Sequence, residues 1–239
     1  MVSYFDNPSS ITTAGDRRGP IVELVKRWSR RGKIRILEDA AYRALRYAGP
    51  DLPSLRAFDC DGDTVIHTQT FSKSFSPGIR VGWGILPREL VEPVCDQKGN
   101  IDFGSANLNQ QLMTAVLEEG LFAPHGDKLR DTYRYKQAAM LEAADEFLAP
   151  LAGVRWMRPS GGLYVWLELP EDLPAGPSGR LFDAAVERGV LYVPGEYFYP
   201  GEGEPVSRNT IRLSFGGQSA DRIRVGIEGL ARAIESVTA

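Results

Sequence analysis

The chain has 239 residues, of which 43% are hydrophobic and 10% aromatic, so it can build one large domain or two modest ones and is not globally disordered. Its 28 basic and 31 acidic side chains give a formal charge of -3, which argues against a generic nucleic-acid binder. Two cysteines and two histidines exclude a disulfide framework and make a metal site improbable. With no signal-peptide pattern and no bilayer-length apolar run, we expect a cytoplasmic protein without a membrane partner.

The first predicted element is an amphipathic helix in "RRGPIVELVKRWSRRG". Its apolar residues recur at helical spacing, and a basic turn and Gly32 follow as a plausible C-terminal stop. The apolar positions are Ile21, Leu24, Val25 and Trp28. The sequence therefore predicts that this face packs on a core.

Three short strands are predicted next, in "KIRILEDAAY", "TVIHTQTFSKS" and "IRVGWGIL". A helix followed by strands and loops is typical of an α/β layered fold, in which ligands bind beyond the carboxyl ends of the strands. Asp39 and Lys73 both lie at such ends. We therefore expect these two residues near a ligand.

Two long helical stretches, "NLNQQLMTAVLEEGLF" and "DKLRDTYRYKQAAMLEAADEFLAPL", lead to a second region with an α+β pattern. That region contains "GGLYVWLEL", "LFDAAVERGV", "LYVPG", "TIRLSF" and a last helix from about Ser219, whose side chain can cap it. The boundary is predicted near residues 118–126. We divide the chain into a large-domain part, 1–120, and a small C-terminal domain with a bridging helix, 121–239.

Lys73 stands in "QTFSKSFSPGIRVGW", seven positions before Arg80. A lysine that forms a Schiff base needs a lowered pKa, which a dry pocket or a cationic neighbour such as Arg80 provides. Hydroxyl groups together with an arginine suit a phosphate. The hydroxyls in this stretch belong to Thr70, Ser72, Ser74 and Ser76. The stretch predicts a site for a phosphorylated aldehyde; alternatively, Lys73 and Arg80 are ordinary surface residues.

Three further polar residues fit such a cofactor. A pyridine ring accepts electrons only while its nitrogen is protonated, and a buried carboxylate such as that of Asp39 holds the proton there. Tyr42 can hydrogen-bond the phenolate oxygen of the ring, and Asn7, before a proline, can aim its amide at the same oxygen. Taken alone, Tyr42 is equally an ordinary half-buried tyrosine and Asn7 merely a turn residue.

The ordered set "DNPSS", "LEDAAYRAL", "TFSKSFSPGIRVGW" and "NTIRLSFGG" resembles the fold-type I aminotransferases of class I/II, which use pyridoxal phosphate. "PSGGLYVWLELP" and "LYVPGEYFYP" are similar to the branch with aminoadipate and kynurenine aminotransferases and aminotransferase-like regulators. The resemblance spans nearly all of residues 4–236. It implies the C-terminal part of a large domain, a mostly parallel sheet with helices, followed by a small α+β domain.

The resemblance also implies roles. Lys73 is the catalytic residue and forms the Schiff base with pyridoxal phosphate. The other cofactor-binding residues address the ring nitrogen, the phenolate oxygen and the phosphate; they are Asp39, then Tyr42 and Asn7, then Thr70, Ser72 and Arg80. Arg212 binds the substrate carboxylate, and Asn7 is the second substrate-binding residue. The implied reaction is ping-pong transfer of an amino group between an amino acid and a 2-oxo acid, in a homodimer and without a metal.

This sequence departs from the family ahead of Asn7, where the family has a long segment with a glycine-rich phosphate loop. We therefore expect the isolated chain to bind pyridoxal phosphate weakly or to act only with a complementary fragment. Two alternatives stay open: a ligand-sensing domain of a transcription regulator, and an inactive fragment. The aromatic cluster of Tyr192, Tyr197, Phe198 and Tyr199 indicates either packing of a turn or a wall facing a large substrate side chain.

Overall fold

A computed structural model describes residues 1–29, 32–203 and 205–238. It divides the chain into two compact units. Unit 1 comprises residues 1–6 and 11–130, and unit 2 comprises residues 7–10 and 131–239. Within the described ranges, no helix is both long enough and apolar enough to cross a membrane.

Unit 1 contains a three-stranded sheet in the order β1-β2-β3. The strands are β1 (Ile36–Asp39), β2 (Val65–Thr70) and β3 (Gly82–Ile85). β1 pairs with β2 in parallel, with Asp39 opposite Thr68, whereas β3 pairs with β2 in antiparallel fashion. The parallel pair brings the carboxyl ends of β1 and β2 to one edge of the sheet. Asp39 ends β1, and Lys73 comes shortly after the end of β2.

The helices of unit 1 are α1 (Gly15–Trp28), the single turn α2 (Phe71–Ser74), α3 (Arg88–Asp102), α4 (Asn107–Glu118) and the first part of α5 (Phe122–Phe147). One apolar cluster joins α1 to the sheet through Val22, Ile36, Leu55 and Val65. A second joins α4 to the loop after β2 through Ile79, Met113 and Val116. Phe71 and Phe75 pack against the second cluster, which therefore holds the α2 turn on the end of β2.

Unit 2 contains a four-stranded antiparallel sheet in the order β4-β5-β7-β6. Its strands are β4 (Arg155–Trp156), β5 (Tyr164–Glu168), β6 (Val193–Pro194) and β7 (Thr210–Ser214), and its helices are the rest of α5, α6 (Arg180–Glu187) and α7 (Ala220–Thr238). Leu167 and Ile211 face each other across β5 and β7 and are fully buried. The hydroxyl of Ser219 accepts a hydrogen bond from the N–H of Arg222 at 3.4 Å, as expected of a cap.

The prediction of which α1 residues are buried is partly wrong. Leu24 and Trp28 are half exposed, whereas Val22 and Arg18 are buried, because the sheet contacts the helix on a side rotated from the apolar stripe. Residues 30 and 31 of the predicted basic turn lie outside the described residues. Helix α3 and strand β4 have no counterpart among the elements predicted from the sequence. The division that the structure makes falls after residue 130, inside α5.

Candidate functional site

Lys73 lies in the single helical turn α2 that follows β2 directly. The side chain of Thr70 caps this turn by accepting a hydrogen bond from the N–H of Ser72 at 3.0 Å. The side chain of Lys73 is half-buried, and its Nζ lies 5.7 Å from the centroid of the Tyr42 ring. The strand end and its cap therefore present the amine of a half-buried lysine over an aromatic face.

Ser72 and Arg80 meet in the same loop. Nη1 of Arg80 donates to Oγ of Ser72 and to the carbonyl of Pro77, each at 3.2 Å. Arg80 has φ 51°, in the left-handed region that costs a non-glycine residue free energy. The hydroxyl of Thr70 also contacts the carbonyl of Val81 at 3.4 Å, so its hydrogen bonds lie within the loop. The predicted anion-binding residues thus form one cluster, in which Ser72 and Arg80 are adjacent.

Gly82 allows the loop to return to the sheet. A Cβ at this position would come within 2.8 Å of the carbonyl oxygen of Gln69 on the neighbouring strand. Because backbone atoms cannot yield as a flexible side chain does, glycine is required for β3 to pair with the end of β2. Gly82 thus lets the chain re-enter the sheet two residues after Arg80.

Asp39, the last residue of β1, is exposed rather than buried as the sequence interpretation expected. Oδ1 of its carboxylate accepts a hydrogen bond from the N–H of Ala41 at 3.0 Å. Glu38 and Asp39 are neighbours on β1, and because side chains alternate between the two faces of a strand, only Glu38 is buried. Asp39 is therefore accessible to a ligand, while Tyr42, three residues later, is buried.

Glu38 is the centre of a buried polar network that sequence reasoning missed. Its carboxylate accepts hydrogen bonds from the hydroxyl of Ser3 at 2.6 Å and from the N–H of Leu55 at 3.0 Å, and it contacts Nδ1 of His67 at 2.8 Å. The buried guanidinium of Arg18 lies 3.8 Å away. Burial by itself raises the pKa of Glu38, but the hydrogen bonds from His67, Ser3 and Leu55 outweigh it and lower the pKa to about 2. The network stabilises the strand that carries Asp39.

Arg212 and Asn7 lie together in unit 2. Arg212 is on β7, directly opposite Trp166 of β5, and its Nη1 donates to Oδ1 of Asn7 at 2.7 Å. Because a guanidinium only donates, this bond assigns the Asn7 oxygen to Arg212 and leaves its Nδ2 donors for another acceptor. Asn7 is exposed and Arg212 is half-buried. The structure thus brings together the two residues predicted to bind substrate.

Two aromatic rings lie against the Arg212 guanidinium. Its central carbon is 4.4 Å from the ring centroid of Tyr164 and 5.0 Å from that of Phe198. Nε of Arg212 is buried and, within residues 1–29, 32–203 and 205–238, has no hydrogen-bond partner. Such an unpaired buried donor costs about 1–3 kcal/mol, so a ligand oxygen that reached it would be favoured. By contrast, Tyr192 is buried and donates to the carbonyl of Ala175, which is a packing contact.

Residues 4–230 match the aminotransferase class I and II family profile. The chain belongs to this family. It is 33% identical, over 98% of its length and 53% of the relative's, to aromatic-amino-acid aminotransferase 1 of Thermococcus litoralis. It is 31% identical, over 96% of its length and 44% of the relative's, to an uncharacterized HTH-type transcriptional regulator of Bacillus subtilis.

The fold matches that of solved members of the family. The α-aminoadipate aminotransferase LysN of Thermus thermophilus, solved with N-(5'-phosphopyridoxyl)-L-leucine, superposes with a TM-score of 0.88 at 34% identity over 100% of this chain and 58% of LysN. The fold-type I class expected from the resemblance is therefore confirmed. The chain spans about half the length of the relatives that it matches.

The side chains present fit the cofactor of this family. A hydroxyl at Ser72 beside a guanidinium at Arg80 is a donor set for a phosphate ester, and the half-buried amine of Lys73 suits an aldehyde. The carboxylate of Asp39 has the charge that a protonated ring nitrogen needs, but it is exposed and not buried as the sequence predicted. Sequence reasoning missed Glu38 in unit 1 and, separately, Tyr164 in unit 2, whose ring lies against the Arg212 guanidinium. For Glu38 the available signal was the alternation of side chains along β1, which puts it on the face opposite Asp39.

Proposed function

We propose that this chain carries the catalytic and substrate-binding residues of a pyridoxal-phosphate-dependent aminotransferase, which moves an amino group between an amino acid and a 2-oxo acid. The observation that carries the proposal is the half-buried Lys73 amine over the ring of Tyr42, directly after a strand end, with Ser72 and Arg80 in the same loop. Family membership and the resemblance to LysN support it.

In unit 1, the residues proposed to hold the cofactor each bind the cofactor group of complementary charge. Arg80 and Ser72 bind the phosphate, and Thr70 orients Ser72 by capping the turn. The Asp39 carboxylate holds a proton on the ring nitrogen, and Tyr42 donates to the phenolate oxygen. Pyridoxal phosphate, when bound, supplies an aldehyde that condenses with amines and a ring that accepts the electrons released at the substrate Cα.

Proton transfer is assigned to Lys73. Its amine would take the proton from the substrate Cα as general base and would donate it again as general acid when the transfer is completed. In unit 2, Arg212 binds the substrate carboxylate through its remaining N–H donors, and the Nδ2 of Asn7 donates to an oxygen of the bound ligand. These two contacts orient the Cα–H bond that is broken.

The test is reductive trapping followed by mass spectrometry. The purified chain is incubated with pyridoxal phosphate, reduced with borohydride and digested, and a pyridoxyl mass is expected on Lys73 and none in Lys73→Arg. Lys136 is the matched control, because it is also half-buried with its Nζ over a tyrosine ring, 5.9 Å from that of Tyr133. Equal labelling of Lys136 and Lys73 would contradict the proposed site.

Activity is tested separately by following amino transfer from a panel of amino acids to 2-oxoglutarate. The enzyme is supported if Lys73 takes the label and the chain transfers amino groups, while the Lys73→Arg variant transfers none. A chain that takes no label under saturating pyridoxal phosphate would contradict the proposal and support the inactive-fragment alternative. The expected substrates are the amino acid and the 2-oxo acid, and the proposed assembly is a homodimer, which light scattering of the purified protein checks.

A second candidate function is ligand sensing in a transcription regulator, favoured by the match to the HTH-type regulator of Bacillus subtilis over 96% of this chain. A sensor binds the cofactor and an amino acid at the same residues but returns no product. Labelling of Lys73 together with amino-acid binding and no detectable 2-oxo acid after hours would favour the sensor over the enzyme.

A further inference from the structure

Phe198 lies in the short 3₁₀ turn Gly195–Phe198 that follows β6. Its ring meets that of Trp166 edge-on, with centroids 6.0 Å apart, and Trp166 is the cross-strand partner of Arg212. The same Phe198 ring lies 5.0 Å from the guanidinium carbon of Arg212. The residue opposite Arg212 in the sheet thus supports the ring that contacts the guanidinium.

The contacts of the guanidinium leave most of its donors available. The rings of Tyr164 and Phe198 contact it without using any N–H group, and Asn7 uses one Nη1 proton. The buried Nε has no hydrogen-bond partner among the described residues. In the part of the chain that the structure describes, no carboxylate lies within salt-bridge distance of Arg212. The two rings therefore hold the Arg212 guanidinium in one place while most of its N–H donors stay available to a ligand.

We infer that Phe198 is a positioning residue for carboxylate binding at Arg212. The ring restricts the long arginine side chain before a ligand arrives, so less conformational entropy is lost when a carboxylate binds. It also excludes water from the guanidinium, which strengthens a charge-assisted hydrogen bond, and the cation–π contact offsets the loss of hydration. This inference rests on the proposed role of Arg212 in binding the substrate carboxylate.

The test measures carboxylate binding without the cofactor. The side-chain Nε–H resonance of Arg212, assigned by its loss in Arg212→Lys, is followed by NMR while pyruvate is added to the whole chain. Phe198→Leu removes the ring at similar volume and is expected to weaken pyruvate binding about five- to tenfold. Phe198→Tyr keeps the ring and is expected to bind within about twofold of the parent.

Tyr197 provides the matched control, because it precedes Phe198 in the same turn but is 62% exposed. Tyr197→Leu is expected to bind pyruvate as the parent does. Binding in Phe198→Leu equal to the parent, or an equal loss in Tyr197→Leu, would overturn the inference, and so would a parent resonance that does not move with pyruvate. Thermal unfolding of each variant identifies any loss of binding that comes from unfolding.

If the chain catalyses amino transfer, its steady-state kinetics give an independent test. Phe198→Leu is expected to raise KM for the amino acid with kcat held within about twofold, since it affects binding of a carboxylate that does not react. Pyruvate binding that depends on Phe198 in a chain that takes no label at Lys73 would support this inference while contradicting the proposed aminotransferase. A fall in kcat with unchanged KM would overturn the inference and leave the proposed reaction standing.

Discussion

The two units bury their apolar side chains to different extents. All fifteen residues of α3 in unit 1 are described and none is buried, and all four residues of β3 are exposed. In unit 2, α7 alone buries six residues. Unit 2 therefore buries more of its last helix, whereas the sheet of unit 1 is held both by the apolar cluster around Val22 and by the polar network around Glu38. The proposed cofactor residues lie in unit 1, which exposes more apolar side chains, and Arg212 lies in unit 2, which exposes fewer.

The largest expected effect comes from Glu38→Gln. Gln removes the negative charge that faces the buried Arg18 guanidinium, and its NH2 group replaces one of the two oxygens that contact Ser3, Leu55 and His67, which we expect to lower the free energy of unfolding of unit 1 by about 4 kcal/mol. Urea unfolding followed by hydrogen exchange of peptides from β1 and β2 measures it. Glu23→Gln, at an exposed position of α1, is the control. A loss below about 1 kcal/mol in Glu38→Gln would show that the network does not hold unit 1.

Leu230→Ala tests the closed core of unit 2. Leu230 is fully buried on α7, so truncation leaves a cavity and is expected to cost about 3 kcal/mol. Leu108→Ala is the same change at a side chain that is 79% exposed on α4, where less than about 0.5 kcal/mol is expected. Denaturant unfolding of both variants measures the difference. Equal losses would remove the contrast between the two units.

Acid is expected to affect unit 1 before unit 2. The pKa of Glu38 is about 2 in the folded chain against an ordinary value of 4.5, so the carboxylate contributes stability above pH 4.5 that is lost as the pH falls towards 2. Allowing for partial screening by solvent, we expect about 2 kcal/mol. Urea midpoints of unit 1 peptides from pH 5.5 to 2.5 measure the loss. Glu38→Gln should lack this component, and an unchanged acid profile in that variant would assign the loss elsewhere.

The smallest predicted effect is that of Ser72→Ala on cofactor affinity. Removing one hydroxyl beside Arg80 is expected to weaken pyridoxal phosphate binding about fivefold, which corresponds to about 1 kcal/mol. Ser76→Ala is the matched control in the same loop, where the serine precedes a 3₁₀ turn without capping it through its side chain. An absorbance titration with the cofactor distinguishes the two. A larger loss in Ser76→Ala would place the phosphate elsewhere in the loop.

Much of the secondary structure was predictable from the sequence because it depends on local pattern. The runs that end at Asp39 and Thr70 form β1 and β2, and the helix expected from about Ser219 begins at Ala220. Helix α3 was missed because Pro93 and Gly99 weaken its helical pattern and its apolar residues are not buried by the sheet. The buried face of α1 was misjudged because periodicity shows a stripe but not which neighbour covers it.

The sequence by itself determined that Asp39 and Lys73 stand at strand ends, and it supplied the residues that we propose for the chemistry, because motif order, turn residues and side-chain period are local properties. Only the tertiary structure decided that Glu38 is buried while Asp39 is exposed, because burial depends on which face the neighbouring elements cover. It also placed Asn7 against Arg212, 205 positions away, with the rings of Tyr164 and Phe198 beside the guanidinium. Contacts at that separation form when strands pair and turns close, and no local pattern encodes them.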